Sequence, residues 1–160
     1  MARILIADDS DLMRTFLKAT LSRQEGWTVC GESRNGLKAV LLANELQPDL
    51  VLLDLVMPML HGLQAAAEIA KILPSVPIVI YSAYVEPDME VEAKKYGVWA
   101  MVSKNSGQTG LIETLTRVLA ATQPTTLGNE AVPETEKRLV EQMPNELSAE
   151  SVPDPADQAN

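Results

Sequence analysis

The sequence predicts an α/β fold, a doubly wound parallel sheet of five strands covered by five helices. Three observations point to it. Short apolar runs alternate with helical patterns five times within about 120 residues, which is the rhythm of βα units. The chain is 46% apolar but only 4% aromatic, so Val, Leu, Ile and Ala must fill the core. The run Leu50-Val51-Leu52-Leu53 is apolar without alternation, as a strand buried on both faces must be.

Each element carries its own signal. Ile4–Ala7 reads as a buried strand, and a helix is expected over Asp11–Gln24, with Leu12, Phe16, Ala19 and Thr20 recurring at helical spacing. Thr28–Glu32 is a weaker strand pattern. The pair Asn35-Gly36 turns the chain into a helix over Leu37–Leu46, which Pro48-Asp49 stops. After the strand Leu50–Leu53, a helix is expected over Gly62–Ile72. Strand Ile78–Tyr81, a helix over Pro87–Tyr96, strand Ala100–Ser103 and a helix over Thr109–Ala121 complete the series. Connections of this length favour right-handed crossovers, and hence helices on both faces of the sheet.

Charge and proline divide the chain near Gln123. Residues 1–123 hold 11 Lys/Arg against 14 Asp/Glu; residues 124–160 hold 2 against 8, together with five of the ten prolines. That composition predicts a domain over 1–123 and an acidic, Pro-rich disordered tail over 124–160. A short helix is conceivable from Pro133 to Met143. A net charge of −9 argues against nucleic acid or an anionic membrane surface as the main partner. The single cysteine, Cys30, cannot build a disulfide framework and reads as a small core hydrophobe. Ile4–Ala7 is too short for a signal peptide or a span, so a cytoplasmic protein without membrane insertion is expected.

In a doubly wound sheet the site forms beyond the carboxyl ends of the strands. Here those ends carry Asp8-Asp9, Asp54, Ser82 and, just after the last strand, Lys104. Singly, each has an ordinary explanation; an Asp-Asp pair after a strand is also what a helix N-terminus favours. Together they place carboxylates, a hydroxyl and an ammonium at one edge. Crowded carboxylates repel unless a cation intervenes, and a site with few protein ligands suits Mg²⁺ better than Ca²⁺.

The segment Ile4-Leu5-Ile6-Ala7-Asp8-Asp9-Ser10 resembles the opening of a two-component response regulator receiver. Asp54-Leu55-Val56-Met57-Pro58, followed by Gly62, resembles the phosphoacceptor signature, Ser82-Ala83 the switch hydroxyl, and Lys104 the family's lysine. The resemblance covers about residues 2–122 and lies nearest in architecture to single-domain chemotaxis regulators. It implies the flavodoxin-like receiver fold. It also implies that Asp54 accepts a phosphoryl group from a sensor histidine kinase, a phosphotransfer protein or a small phosphodonor. Asp8, Asp9, Asp54 and the backbone carbonyl of Val56 would hold Mg²⁺, with Ser82 and Lys104 contacting the phosphoryl group. The output would be binding of a downstream protein through the helix near Pro87–Tyr96 and strand Ala100–Ser103, rather than catalysis on a separate substrate.

Several positions depart from the family pattern. Met101 stands where an aromatic is usual, with Trp99 two residues earlier, and Asn105 replaces the proline common after the lysine. Val56 and Tyr84 occupy positions where the family tunes dephosphorylation, and their bulk should impede water. His61, the only histidine, is expected to be structural or solvent-facing. Two other functions compete. A transcriptional regulator requires a chain continuing past Asn160, since residues 124–160 are too short and acidic for a DNA-reading helix-turn-helix. An aspartate-nucleophile phosphatase normally has a second acid two residues after the nucleophile, where this chain has Val56.

Overall fold

In the computed structural model, residues 1–123 are described, and they form the expected α/β architecture. The strands are β1 (Ala2–Ala7), β2 (Trp27–Ser33), β3 (Leu50–Leu53), β4 (Ile78–Ser82) and β5 (Val98–Ser103). The helices are α1 (Asp11–Leu21), α2 (Gly36–Leu46), α3 (Gly62–Ile72), α4 (Pro87–Lys94) and α5 (Gly107–Thr122). All neighbouring strands pair in parallel, in the order β2-β1-β3-β4-β5. The chain therefore leaves β1 toward one edge, and β3 returns to its other side. In doubly wound sheets sites form at such a reversal, here at the carboxyl ends of β1 and β3. The acidic segment after Gln123, with its expected helix over Pro133–Met143, lies outside the described residues.

The sheet is buried on both faces. Along β1, Leu5 and Ala7 face one core with Val51, Leu53, Ile78 and Ile80, beneath α2, α3 and α4. Ile4 and Ile6 face the other with Leu50, Leu52, Val79 and Tyr81, beneath α1 and α5. The period of two along each strand distributes side chains between these layers. Small residues bring the helices close, with Ala39 and Ala43 of α2 and Ala65 and Ala66 of α3 all buried.

Helix α1 departs from expectation in length and in face. It ends at Leu21 rather than Gln24, because the chain must reverse into β2, and Gly26 turns it with φ +80°. Its buried stripe is Arg14, Leu17, Thr20 and Leu21. Leu12 is 82% exposed and Ala19 is exposed, so the helix is rotated relative to the apolar pattern read from sequence. Burial of Leu17 and Leu21 contributes about 2 kcal/mol each, more than Leu12 gains where it is. Helix α4 stops at Lys94, where Gly97 (φ +82°) starts the turn into β5. Strand β5 accordingly begins at Val98, and Lys104–Ser106 form a single 3-10 turn before α5. The Lys104–Asn105 peptide is trans.

Two glycines set the carboxyl edge. A Cβ on Gly36 would lie 2.1 Å from the Leu60 carbonyl oxygen, and one on Gly62 would lie 2.2 Å from that of Asp54. Helix α3 thus starts in contact with the backbone of Asp54. A methyl at position 62 must push that backbone or the helix aside. Gly62→Ala should lower stability by about 2 kcal/mol, read as a lower urea midpoint. An unchanged midpoint would mean that this approach is not a real constraint.

Candidate functional site

Every strand-end residue singled out in the sequence lies at the carboxyl edge of the sheet. Asp8 directly follows β1, and its backbone continues the pairing, with its N–H donating to the Ser33 carbonyl at 3.1 Å. Asp54 directly follows β3, its N–H donating to the Ala7 carbonyl at 2.8 Å. Ladder geometry, rather than loop conformation, therefore sets the backbones of both carboxylates. Ser82 closes β4 and pairs in register with Ser103, so Lys104 emerges one residue beyond the rung that holds the hydroxyl.

The Lys104 ammonium joins the two buried carboxylates. Its Nζ donates to Asp8 Oδ2 at 2.7 Å and lies 3.3 Å from Asp54 Oδ2. It also stands 5.9 Å from the Tyr81 ring centroid, within reach of a cation–π attraction. Asp8 is bonded at both oxygens, because its Oδ1 also accepts the Ser10 N–H at 2.9 Å, and each oxygen keeps a lone pair for a cation. Ser10 in turn caps α1, its hydroxyl accepting the Met13 N–H at 3.3 Å. Asp9, one residue outward, is exposed. One oxygen each from Asp8, Asp9 and Asp54 lie within 4.8 Å of one another. This oxygen-only set fits a hard divalent cation that keeps part of its water shell.

Electrostatics separate the members of the cluster. Burial pushes the Asp54 carboxyl above its ordinary range; the Lys104 charge opposes this and the neighbouring Asp8 reinforces it. For Lys104, burial lowers the affinity for the proton, but the Asp8 hydrogen bond and the Asp54 and Asp8 charges outweigh it, leaving the ammonium more firmly protonated than usual. Burial likewise raises the Tyr81 phenol. The Ser82 side chain is buried, and its oxygen accepts the Tyr84 N–H at 3.3 Å, which leaves its own O–H available to donate.

The rim differs from the floor. Val56 and Tyr84 are 61% and 78% exposed, Val56 two residues after Asp54 and Tyr84 two after Ser82. Met59, in the same loop as Val56, has a left-handed backbone, φ +68°. His61 precedes α3 with its side chain exposed, and its N–H donates to Gln64 at 3.4 Å. Met101 is buried in the core beneath α4, whereas Trp99 is 44% exposed. Cys30 packs partly buried against the same core, and burial pushes its thiol pKa up. Sequence reasoning missed Arg14, Asp11 and Arg34, which connect to the Asp8 backbone. The available signal was a basic residue in register with Leu17 and Leu21 on α1.

Three carboxylates, a lysine and a strand-end hydroxyl gathered at the β1/β3 reversal are the arrangement of a receiver-type domain. The chain belongs to the response regulator receiver domain family of two-component signalling, which it matches over residues 4–116. It is 38% identical to the chemotaxis protein CheY of Thermotoga maritima, over 72% of this chain and 96% of that protein. It is 36% identical to the transcriptional regulatory protein YdfI of Bacillus subtilis, over 72% of this chain but only 54% of YdfI. Among solved structures, the response regulator domain of Thermotoga maritima CheB superposes with a TM-score of 0.71 at 29% identity, covering 75% of this chain and 97% of that one. The chain thus spans nearly all of CheY and about half of YdfI. No helix among the described residues is long and apolar enough to cross a membrane.

The raised Asp54 pKa has a sign that can be measured. Between the ordinary carboxyl range and the folded value, the native protein holds a proton that the unfolded chain has released. Stability therefore falls as pH rises through that window and stays reduced above it. Asp54→Asn removes the penalty. In metal-free protein the variant should be more stable than wild type at pH 7, and the gap should narrow toward about pH 4. Urea midpoints across that range test this, and a wild type more stable at neutrality contradicts it.

Proposed function

We propose that the protein is a phosphorylation-activated switch whose Asp54 accepts a phosphoryl group. The observation that carries this reading is the Lys104 ammonium bridging Asp8 and Asp54 at the sheet edge. An oxygen of Asp54 attacks phosphorus in line. The P–N bond of a phosphohistidine, or the P–O bond of acetyl phosphate, breaks, and its electron pair leaves with the imidazole or acetate. Asp8, Asp9, Asp54 and the Val56 carbonyl are the groups that would hold Mg²⁺. Mg²⁺, when bound, supplies charge neutralisation for the phosphoryl oxygens. Lys104, released from Asp54, pairs with a phosphoryl oxygen, and positioning and electrostatics supply most of the acceleration.

Output follows from Ser82. Its free O–H donates to the acylphosphate, and the movement is felt by β5, to which Ser82 is hydrogen-bonded. Tyr84 after β4, Val91 on α4 and Trp99 on β5 are exposed apolar side chains suited to contact with a downstream protein. Phosphodonors are a sensor histidine kinase or a phosphotransfer protein, and the domain is taken to end near Gln123, in a cytoplasmic setting. A second reading, the receiver part of a longer transcriptional regulator, draws support from the likeness to YdfI, of which the chain matches 54%.

Incubation with acetyl phosphate and Mg²⁺ should add one phosphoryl mass to the intact protein and none to Asp54→Asn. An unmodified wild type would falsify the reading. Val56 and Tyr84 at the rim should also slow attack by water, so phospho-Asp54 should persist. Decay within minutes, followed by intact mass after removal of the donor, would contradict their shielding role.

A further inference from the structure

Arg14 is 5% exposed, and a buried arginine is rare unless its donors are satisfied. Its Nη1 donates to the main-chain carbonyl of Asp8 at 2.7 Å, and its Nη2 pairs with the Asp11 carboxylate. Asp11 also pairs with Arg34 Nη2 at 2.9 Å, across the gap between α1 and the turn after β2. The residue before Arg34 is Ser33, whose carbonyl accepts the Asp8 N–H. Asp8 is therefore gripped on both sides of its α-carbon, by β2 at its N–H and by α1 at its carbonyl. The peptide carrying that carbonyl also begins Asp9.

We propose that Arg14 is a positioning residue for the acidic pair. It fixes the peptide between Asp8 and Asp9, and Asp11 and Arg34 brace it. An ordinary helical pair between Asp11 and Arg14 would need no burial of the guanidinium. The guanidinium reaches its two acceptors from two nitrogens held in a fixed planar fork, whereas an ammonium is a single point charge without that fixed geometry. The proposal rests on the reading that Asp8 and Asp9 hold Mg²⁺, and charge gives it a diagnostic sign. A cation beside a cation site opposes metal binding by Coulomb's law, so removing Arg14 or Arg34 purely as charges should tighten Mg²⁺. Positioning requires the opposite, because groups that orient metal ligands typically raise affinity.

Calorimetric Mg²⁺ titration of the full chain separates these. Arg14→Gln should bind Mg²⁺ about tenfold more weakly than wild type, and Arg14→Lys should fall between the two. Arg34 is 69% exposed, so Arg34→Ala should fold normally and lose about twofold. Equal or tighter binding by folded Arg14→Gln and by Arg34→Ala, whatever their melting temperatures, overturns the proposal. If Arg14→Gln does not fold, the sign of the change in Arg34→Ala decides. A wild type that takes up no Mg²⁺ overturns the underlying reading and the proposal with it. A wild type that binds Mg²⁺ while Arg14→Gln matches it refutes the positioning role alone.

Discussion

The site depends on one ammonium held between two carboxylates that the sheet has largely withdrawn from water. Asp8 and Asp54 follow adjacent strands, and the β1–β3 ladder that brings their backbones together also brings their charges together. Without compensation, that proximity would be resolved by protonation or by local rearrangement. Lys104 arrives from the end of β5 and supplies the compensation, at 2.7 Å from Asp8 and 3.3 Å from Asp54. The asymmetry of these distances matters. Asp8 is bonded at both oxygens, whereas Asp54 shares the ammonium at the longer distance.

The fold exists in large part to bring those groups to one edge. Parallel strands end on a common side, and the two cores above and below the sheet hold their register. Gly36 and Gly62 let the second and third helices press against the loop after Asp54, limiting how far its backbone can retreat. Around this rigid floor the exposed rim is free of packing duties. Val56, Met59 and Tyr84 can therefore be read for what they do to solvent and partners.

Most of this architecture could be read from residue order, because strands buried on both faces leave continuous apolar runs, and turn residues punctuate them. The strand-end carboxylates, Ser82 and Lys104 were equally visible, since topology alone assigns them to one edge. The first helix was harder. Its stripe includes a charged residue, Arg14, and an apolar pattern counts Leu12 in and Arg14 out when the fold does the reverse. What a pattern cannot register is that the Asp8 carbonyl and the Asp11 carboxylate make burial of a guanidinium tolerable. The long-range partnership of Asp11 with Arg34 was hidden for a similar reason, because their encounter depends on the β1–β2 register and on no local sequence feature.

Along strand β5 only Trp99 is exposed, between buried Val98 and Ala100, while Met101 and Val102 are buried in opposite cores. Packing on both faces secures Lys104 to the rest of the sheet, and Trp99 is the point at which the strand meets solvent. Substitutions at that one position can accumulate without disturbing the packed residues around it. A lineage descended from this chain could thus alter what this surface meets by drift at a single exposed residue, while the strand-end groups stayed as they were.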